Sequence, residues 1–277
     1  AASGRIPPEI FARALDAVGE LLAVAREYGA TSVVVAGTSA LREAENGTAF
    51  GLAVRARFGV GVEILSGEDE GRLVYDGARS RMSELPERVG VIDLGGGSAE
   101  VAIGDGEVCG YARSLPLGFL RLARVLDVHG PVDHQGFERV AEYVRTCSAT
   151  VREDARALAP RTWLLSGGTA RASAGVLGVE PGAAISTRQL GAAAERFASA
   201  DTLKLIGFGV EPARARGFGL AVAVLATLCE AFGAPAARVS PGGLREGLLL
   251  REIGGNSTRH ARVHLHDAGR FARSPAG

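Results

Sequence analysis

Apolar positions near the start of the chain fall at helical spacing. Ile10, Ala14, Val18, Leu21, Leu22 and Ala25 recur every three or four residues. Pro7 and Pro8 suit the first turn of this helix, and Gly29 suits a C-terminal cap. Short apolar runs then alternate with helical periods. Residues 32–36 read as a short buried strand, Gly37-Thr38 as a polar turn, 48–57 as a helix and 63–65 as a second short strand. A helix opening at Gly67 carries Leu73 and Val74 inward, and after Pro86 the run Val89-Gly90-Val91-Ile92 reads as a buried strand ending at Asp93. Residues 99–103 and 108–114 flank Gly104-Asp105-Gly106 as the arms of a β-hairpin.

The rest of the chain alternates again. The pattern predicts a long helix over 137–158, a strand over 162–165, a glycine turn at Ser166-Gly167-Gly168-Thr169, and helices over 187–198, 217–232 and 244–253. The last begins after Pro241-Gly242-Gly243. This is an α/β pattern without internal repeats. With 277 residues it is long enough for two lobes, since single cores stop growing near ~250 residues. Two strands in the first 65 residues make a thin sheet beside the roughly 5–6 strands of an ordinary one. Residues after Gly254, rich in Arg, His, Ser and Gly, lack periodicity and read as a mobile tail.

Composition narrows the function classes. Hydrophobic residues make up 47% and charged residues 22%, with no uncharged apolar stretch of the roughly 18 residues that cross a bilayer, so the chain is expected to be soluble, with no membrane partner. Three scattered cysteines, Cys109, Cys147 and Cys229, give neither a disulfide framework nor a CxxC pair, which suits a reducing cytoplasm. Lys+Arg and Asp+Glu both number 31, so long-range attraction argues for no nucleic-acid partner, and any polyanion must be held locally. Lys204 is the sole lysine, and the other cations are arginines.

The chemistry concentrates in the glycine loops. An acidic residue at the end of a buried strand, followed by Leu94, Gly95, Gly96, Gly97 and Ser98, offers a phosphate both backbone N–H groups and a metal-binding carboxylate. On an alternating strand Glu100 points to the same side as Ser98, so Asp93 and Glu100 can share a hydrated Mg2+. The competing reading is a tight turn with two solvated carboxylates. Glu68, Asp69 and Glu70 open a predicted helix, where acidic residues suit the helix dipole; one of them near a bound phosphate could take a proton from water, and the pattern does not say which. Arg42 can grip an anion or pair with Glu43 or Glu45. The turn from Ser166 to Thr169 sets N–H groups at a helix start, where an anion or a nucleotide phosphate binds, or serves as a plain strand-to-helix turn. No GxxxxGK[ST] or strand-linked GxGxxG is present, no GxSxG elbow supports a serine hydrolase, and His260, His264 and His266 fall in the presumed tail.

Taken together, TSALREAENG (38–47), LSGEDEGRLVY (65–75), VIDLGGGSAEVAIG (91–104), SLPLGFLRL (114–122), LSGGTARA (165–172) and SPGGLREGLLL (240–250) resemble the exopolyphosphatase and guanosine pentaphosphate phosphohydrolase family, over residues 5–253. The resemblance implies two ribonuclease-H-like lobes of the sugar kinase, Hsp70 and actin superfamily, with the active site in the cleft between them. It implies a first lobe over 1–84 joined by the final helix at 244–253, a second lobe over 85–243, and a tail over 254–277. It makes Glu70 the catalytic glutamate that orients or deprotonates water, Gly95, Gly96, Gly97 and Ser98 a phosphate loop, Asp93 and Glu100 the metal-associated acids, and Arg42 a phosphate-facing arginine. Polyphosphate or guanosine pentaphosphate is the implied substrate, Mg2+ or another divalent cation the implied cofactor, and a homodimer the common assembly.

The chain departs from the family at its start. Members begin with two or three strands carrying a loop of the type Asp-x-Gly-Ser-Asn, and this chain is expected to begin after them, so that its first lobe lacks its N-terminal strands. The main expectation is a phosphatase that cleaves a terminal phosphoanhydride with water. The alternatives are a binder of nucleotide or polyphosphate without turnover, and a kinase of the same superfamily, which the Glu70 motif disfavours.

Overall fold

The computed structural model describes residues 4–128 and 130–254; the expected tail, with His260, His264 and His266, lies outside them. The described chain falls into two compact units, divided between Ser66 and Gly67.

The first unit holds α1 (Pro8–Glu27), β1 (Val35–Gly37), α2 (Ser39–Arg42), α3 (Gly47–Phe58) and β2 (Val62–Ile64). Pro8 supplies the fixed φ at the first turn of α1 and lacks only an N–H that would have no partner there. Of its predicted apolar face Leu22 is buried, whereas Leu21 is 69% exposed. The edge of Phe11 packs on Phe50 of α3 with ring centroids 5.1 Å apart. β1 and β2 pair in parallel, Val35 opposite Val62 and Gly37 opposite Ile64.

The second unit runs α4 (Gly67–Ser80), β3 (Arg88–Leu94), β4 (Ala99–Asp105), β5 (Val108–Leu115), α5 (Phe119–Val125), α6 (His134–Cys147), α7 (Ala149–Leu158), β6 (Thr162–Ser166), α8 (Gly167–Val176), β7 (Ala184–Ser186), α9 (Thr187–Ala198), α10 (Thr202–Gly207), α11 (Pro212–Ala215), α12 (Phe218–Ala231), β8 (Ala236–Val239) and α13 (Leu244–Ile253). Six strands form one sheet in the order β5-β4-β3-β6-β8-β7. β3, β6 and β8 are mutually parallel, β4 and β5 continue the sheet as an antiparallel ribbon, and β7 closes the other edge antiparallel to β8. The predicted helix over 137–158 is two helices, α6 and α7, broken at Ser148, whose buried hydroxyl donates to the Val144 carbonyl at 2.7 Å.

Alternation along the strands sorts their side chains onto two faces. Ile92, Leu94, Val101, Ile103, Trp163 and Leu165 join the larger core, built around α12, a helix buried on nearly every side. Val89, Val91, Ala102, Ala112 and Leu164 meet Val74, Tyr75 and Ala78 of α4 on the opposite face. Residues 67–80, assigned above to the first lobe, thus pack within the 67–254 unit. The final helix, expected to return to the first lobe, packs along α4 within the same unit. Backbone contact between the two helices is close. A Cβ on Gly77 would meet the Gly243 carbonyl, and one on Gly247 the Leu73 carbonyl.

Candidate active site

The face under α4 changes character at one end. Ser114, Glu100, Asp93 and Ser166 occupy directly paired positions on β5, β4, β3 and β6, continuing the files of Ala112, Ala102, Val91 and Leu164. Four adjacent strands therefore present a row of two carboxylates flanked by two hydroxyls on one face. The Ser114 hydroxyl donates to Glu100 Oε1 at 2.7 Å, and the Ser166 hydroxyl lies 3.2 Å from Asp93 Oδ2 and 3.0 Å from the Gly242 carbonyl.

Glu70 joins this row because of helical periodicity. It lies four residues before Val74 and eight before Ala78, on the stripe of α4 that faces the sheet. Closely packed small residues, Gly67 over Ser114 and Gly71 over Ala112, bring the first turn of α4 down onto β5. Glu70 is 6% exposed and Glu100 3%. Glu68, in contrast, turns outward and pairs with Arg72 at 2.6 Å, the ordinary i,i+4 arrangement of a helix surface.

Burying like charges together shows in their proton affinities. Burial, then repulsion from Glu70, pushes Glu100 up to about 8, against the hydroxyls of Ser98 and Ser114 that favour its charged form. Burial likewise raises Asp93 to about 6, opposed by the Ser166 hydroxyl, pushed further by Glu70 and eased by Arg171. The first turn of α4 favours negative charge at Glu70. Among the described residues no group of three or more His, Cys, Asp or Glu side chains is placed to hold a metal ion by itself.

The glycine loop lies at the end of β3. None of Gly95, Gly96 and Gly97 has a positive φ, so left-handed backbone is not what they supply. Close approach is. A Cβ on Gly96 would press on Leu120, and one on Gly118 would run into the Gly96 and Gly97 backbone. Every carbonyl of the loop is taken. Gly95 accepts from the Phe119 N–H (3.2 Å), Gly96 from the Leu120 and Arg121 N–H groups (3.0 and 3.2 Å), Gly97 from Arg121 Nε (2.8 Å) and Ser98 from the Gly95 N–H (3.0 Å). Among the described residues the N–H groups of Gly96, Gly97 and Ser98 meet no acceptor.

The second glycine turn is differently used. The start of α8 faces the Asp93 carboxylate, since a Cβ on Gly167 would collide with Oδ1, and the Arg214 guanidinium lies over Gly168. Gly243, preceding α13, also lies against Ser166 and Asp93. Glu70, Asp93, Gly95, Gly96, Gly97, Ser98 and Glu100 therefore all belong to the 67–254 unit. Arg42 belongs to the first unit, where it donates to the Leu65 carbonyl at 2.8 Å. The residues that the sequence reading did not single out are Ser114, near the end of β5, Arg121, on the first turn of α5, and Arg171, in α8. No helix among the described residues is long and apolar enough to cross a membrane.

A family model described as the Ppx/GppA phosphatase family matches residues 1–255. Exopolyphosphatase 1 of Mycobacterium tuberculosis is 31% identical over 265 residues, 91% of this chain and 76% of its own length. The guanosine-5'-triphosphate,3'-diphosphate pyrophosphatase of Aeromonas hydrophila is 28% identical over 247 residues, 88% of this chain and 49% of its own length. Among solved structures, the Aquifex aeolicus member of the Ppx/GppA family superposes with a TM-score of 0.76 at 25% identity, covering 93% of this chain and 85% of that one. An exopolyphosphatase from Cytophaga hutchinsonii shares the fold with a TM-score of 0.83 at 21% identity, covering 92% and 85%.

Proposed function

Because the chain belongs to the Ppx/GppA phosphatase family, we propose that it hydrolyses the terminal phosphoanhydride of inorganic polyphosphate or of guanosine pentaphosphate, with Glu70 acting on the attacking water. The observation that carries this reading is the buried carboxylate of Glu70, which the α4 stripe presses toward Glu100 and Asp93 beside a loop with three N–H groups to spare. Two names among its relatives support the two substrates, which share a terminal phosphate and so one binding chemistry.

Each residue has a role that its surroundings suit. The N–H groups of Gly96, Gly97 and Ser98 bind oxygens of the terminal phosphate, as oriented backbone donors bind anions elsewhere. Glu70 orients water and accepts its proton. Asp93 and Glu100 fit Mg2+ or another hard divalent cation. They are an oxygen-only pair facing each other across β3 and β4, and Mg2+ is commonly held by one or two carboxylates, with substrate phosphate and water completing its shell. When bound, the cation offsets negative charge on the phosphate oxygens. In this reading the 67–254 sheet is part of one ribonuclease-H-like lobe, and residues 4–66 belong to a second such lobe.

The test is phosphate release from both substrates with Mg2+, comparing wild type with Glu70→Gln. A loss of at least ~10²-fold in kcat, with folding intact, is expected from removing a base. Equal rates would remove Glu70 from the mechanism, and saturable binding of both substrates without turnover by wild type would replace the hydrolase with a binding protein.

A further inference from the structure

The loop from Gly95 to Ser98 is held from behind. The first N–H groups of a helix have no partner within it, and Gly118, which precedes α5, has no side chain to cap them. The loop carbonyls do so instead. Phe119 N–H bonds the Gly95 carbonyl, and Leu120 and Arg121 N–H groups bond that of Gly96. Arg121, partly buried on the same turn, continues the series with its side chain, Nε donating to the Gly97 carbonyl at 2.8 Å.

A trans peptide is planar, so its C=O and the following N–H point in opposite directions, and no described peptide is cis. Fixing the Gly95 carbonyl toward α5 therefore turns the Gly96 N–H away from it, and fixing Gly96 turns the Gly97 N–H away. The third peptide, Gly97–Ser98, lies beyond the reach of the helix backbone and depends on Arg121. Without that bond the plane can turn about ψ of Gly97, a glycine torsion with few steric limits, and φ of Ser98. The three N–H groups that meet no acceptor thus each point away from the α5 group that tethers the carbonyl of the same peptide.

We propose that Arg121 is a positioning residue, which completes the phosphate loop by holding the Gly97–Ser98 peptide so that the Ser98 N–H joins those of Gly96 and Gly97 as a third donor to an oxyanion. The proposal rests on the loop being the phosphate site. Arg121 acts through the peptide and from behind the loop, so its effect is on phosphate affinity rather than on water activation.

The full chain is compared as wild type, Arg121→Ala and Arg121→Lys, with tripolyphosphate as substrate. In Arg121→Ala the Gly97 carbonyl and Ser98 amide resonances move, while the Gly96 amide, tethered by the backbone of α5, stays. KM rises about tenfold with a much smaller change in kcat, the pattern of an interaction made equally in ground and transition states. Added guanidinium ion lowers the KM of Arg121→Ala and does nothing for Glu70→Ala. Arg121→Lys, which keeps a charged donor without the planar fork, falls between, and it carries the test should Arg121→Ala not fold. A folded variant with wild-type KM and unmoved Gly97 and Ser98 resonances overturns the proposal. If wild type releases no phosphate, the hydrolase reading fails and the resonances alone decide the part of Arg121.

Discussion

Glu100→Gln should stabilise the metal-free protein, and by an amount that grows with pH. The carboxyl is 3% exposed and is lifted from 4.5 to about 8, first by burial and then by Glu70. Between those two values the folded state holds a proton that the unfolded chain releases, so the native state loses stability as pH rises through the folded value. The stabilising contribution is complete below pH 4.5 and gone above about 8. At 1.36 kcal/mol for each pKa unit, the lift corresponds to a ceiling of about 5 kcal/mol. The amide is nearly isosteric, bears no charge and still accepts from Ser114, so it escapes this loss. The difference between variant and wild type should therefore open from near pH 4.5 with a slope of up to about 1.4 kcal/mol per pH unit and level off beyond pH 8. Urea unfolding with a chelator present measures it. Trp163, the only tryptophan, is 3% exposed and stacked on Phe232 at 5.4 Å, which gives a fluorescence signal from the core. Parallel stability curves across pH 5–9, or a gap that closes as pH rises, would refute the coupling of Glu100 to its buried surroundings.

Three further outcomes follow from the same geometry. Mg2+ should raise Tm more at pH 8 than at pH 6, since it competes with the protons held on Glu100 and Asp93, and Asp93→Asn should blunt the rise; thermal melts with and without the ion check this. Gly247→Ala should cost about 3 kcal/mol, at or above the usual range for overpacking, because the added methyl meets the Leu73 carbonyl on the facing helix; urea midpoints at constant m read it out. Gly167→Ala adds a left-handed φ of 87° to a collision with the Asp93 carboxylate, so phosphate release should fall more than stability; kcat and Tm measured on one preparation separate the two.

The parts of the fold that were legible in sequence are those in which composition and pattern agree. The runs at 89–92, 99–103 and 162–165 are mostly apolar and carry branched or aromatic side chains, and each lies in a strand. β8, with Ala-Ala-Arg-Val, and the three-residue β7 carry too little β-forming character to stand out; β8 is a strand because β6 offers an edge, and β7 because β8 in turn does. α5 is only seven residues long, under two full turns, so no period could be read there. The break at Ser148 was hidden because apolar positions continue through it, from Val140, Ala141 and Val144 to Val151 and Ala155. Leu21 and Leu22 both fit a broad helical stripe, but only Leu22 is buried.

Within the site, the choice among Glu68, Asp69 and Glu70 was encoded more sharply than acidity alone suggests. Only Glu70 stands at helical intervals from Val74 and Ala78, which face the sheet, whereas Glu68 shares an outward face with Arg72. The same step explains why the site is electrostatically costly. An apolar stripe that continues into a carboxylate, laid over strands whose own files end in Asp93 and Glu100, gathers three acids in desolvated surroundings. The local compensations are partial. They are the first turn of α4, the hydroxyls of Ser98, Ser114 and Ser166, and the charge of Arg171 near Asp93. Hydroxyls and a helix terminus supply fractions of a charge, so the cluster at neutral pH retains a proton on Glu100, which the proposed divalent cation would displace. Affinity for the cation should accordingly rise with pH, and the gain in stability from Glu100→Gln and the loss of cation binding in the same variant are two readings of one charge.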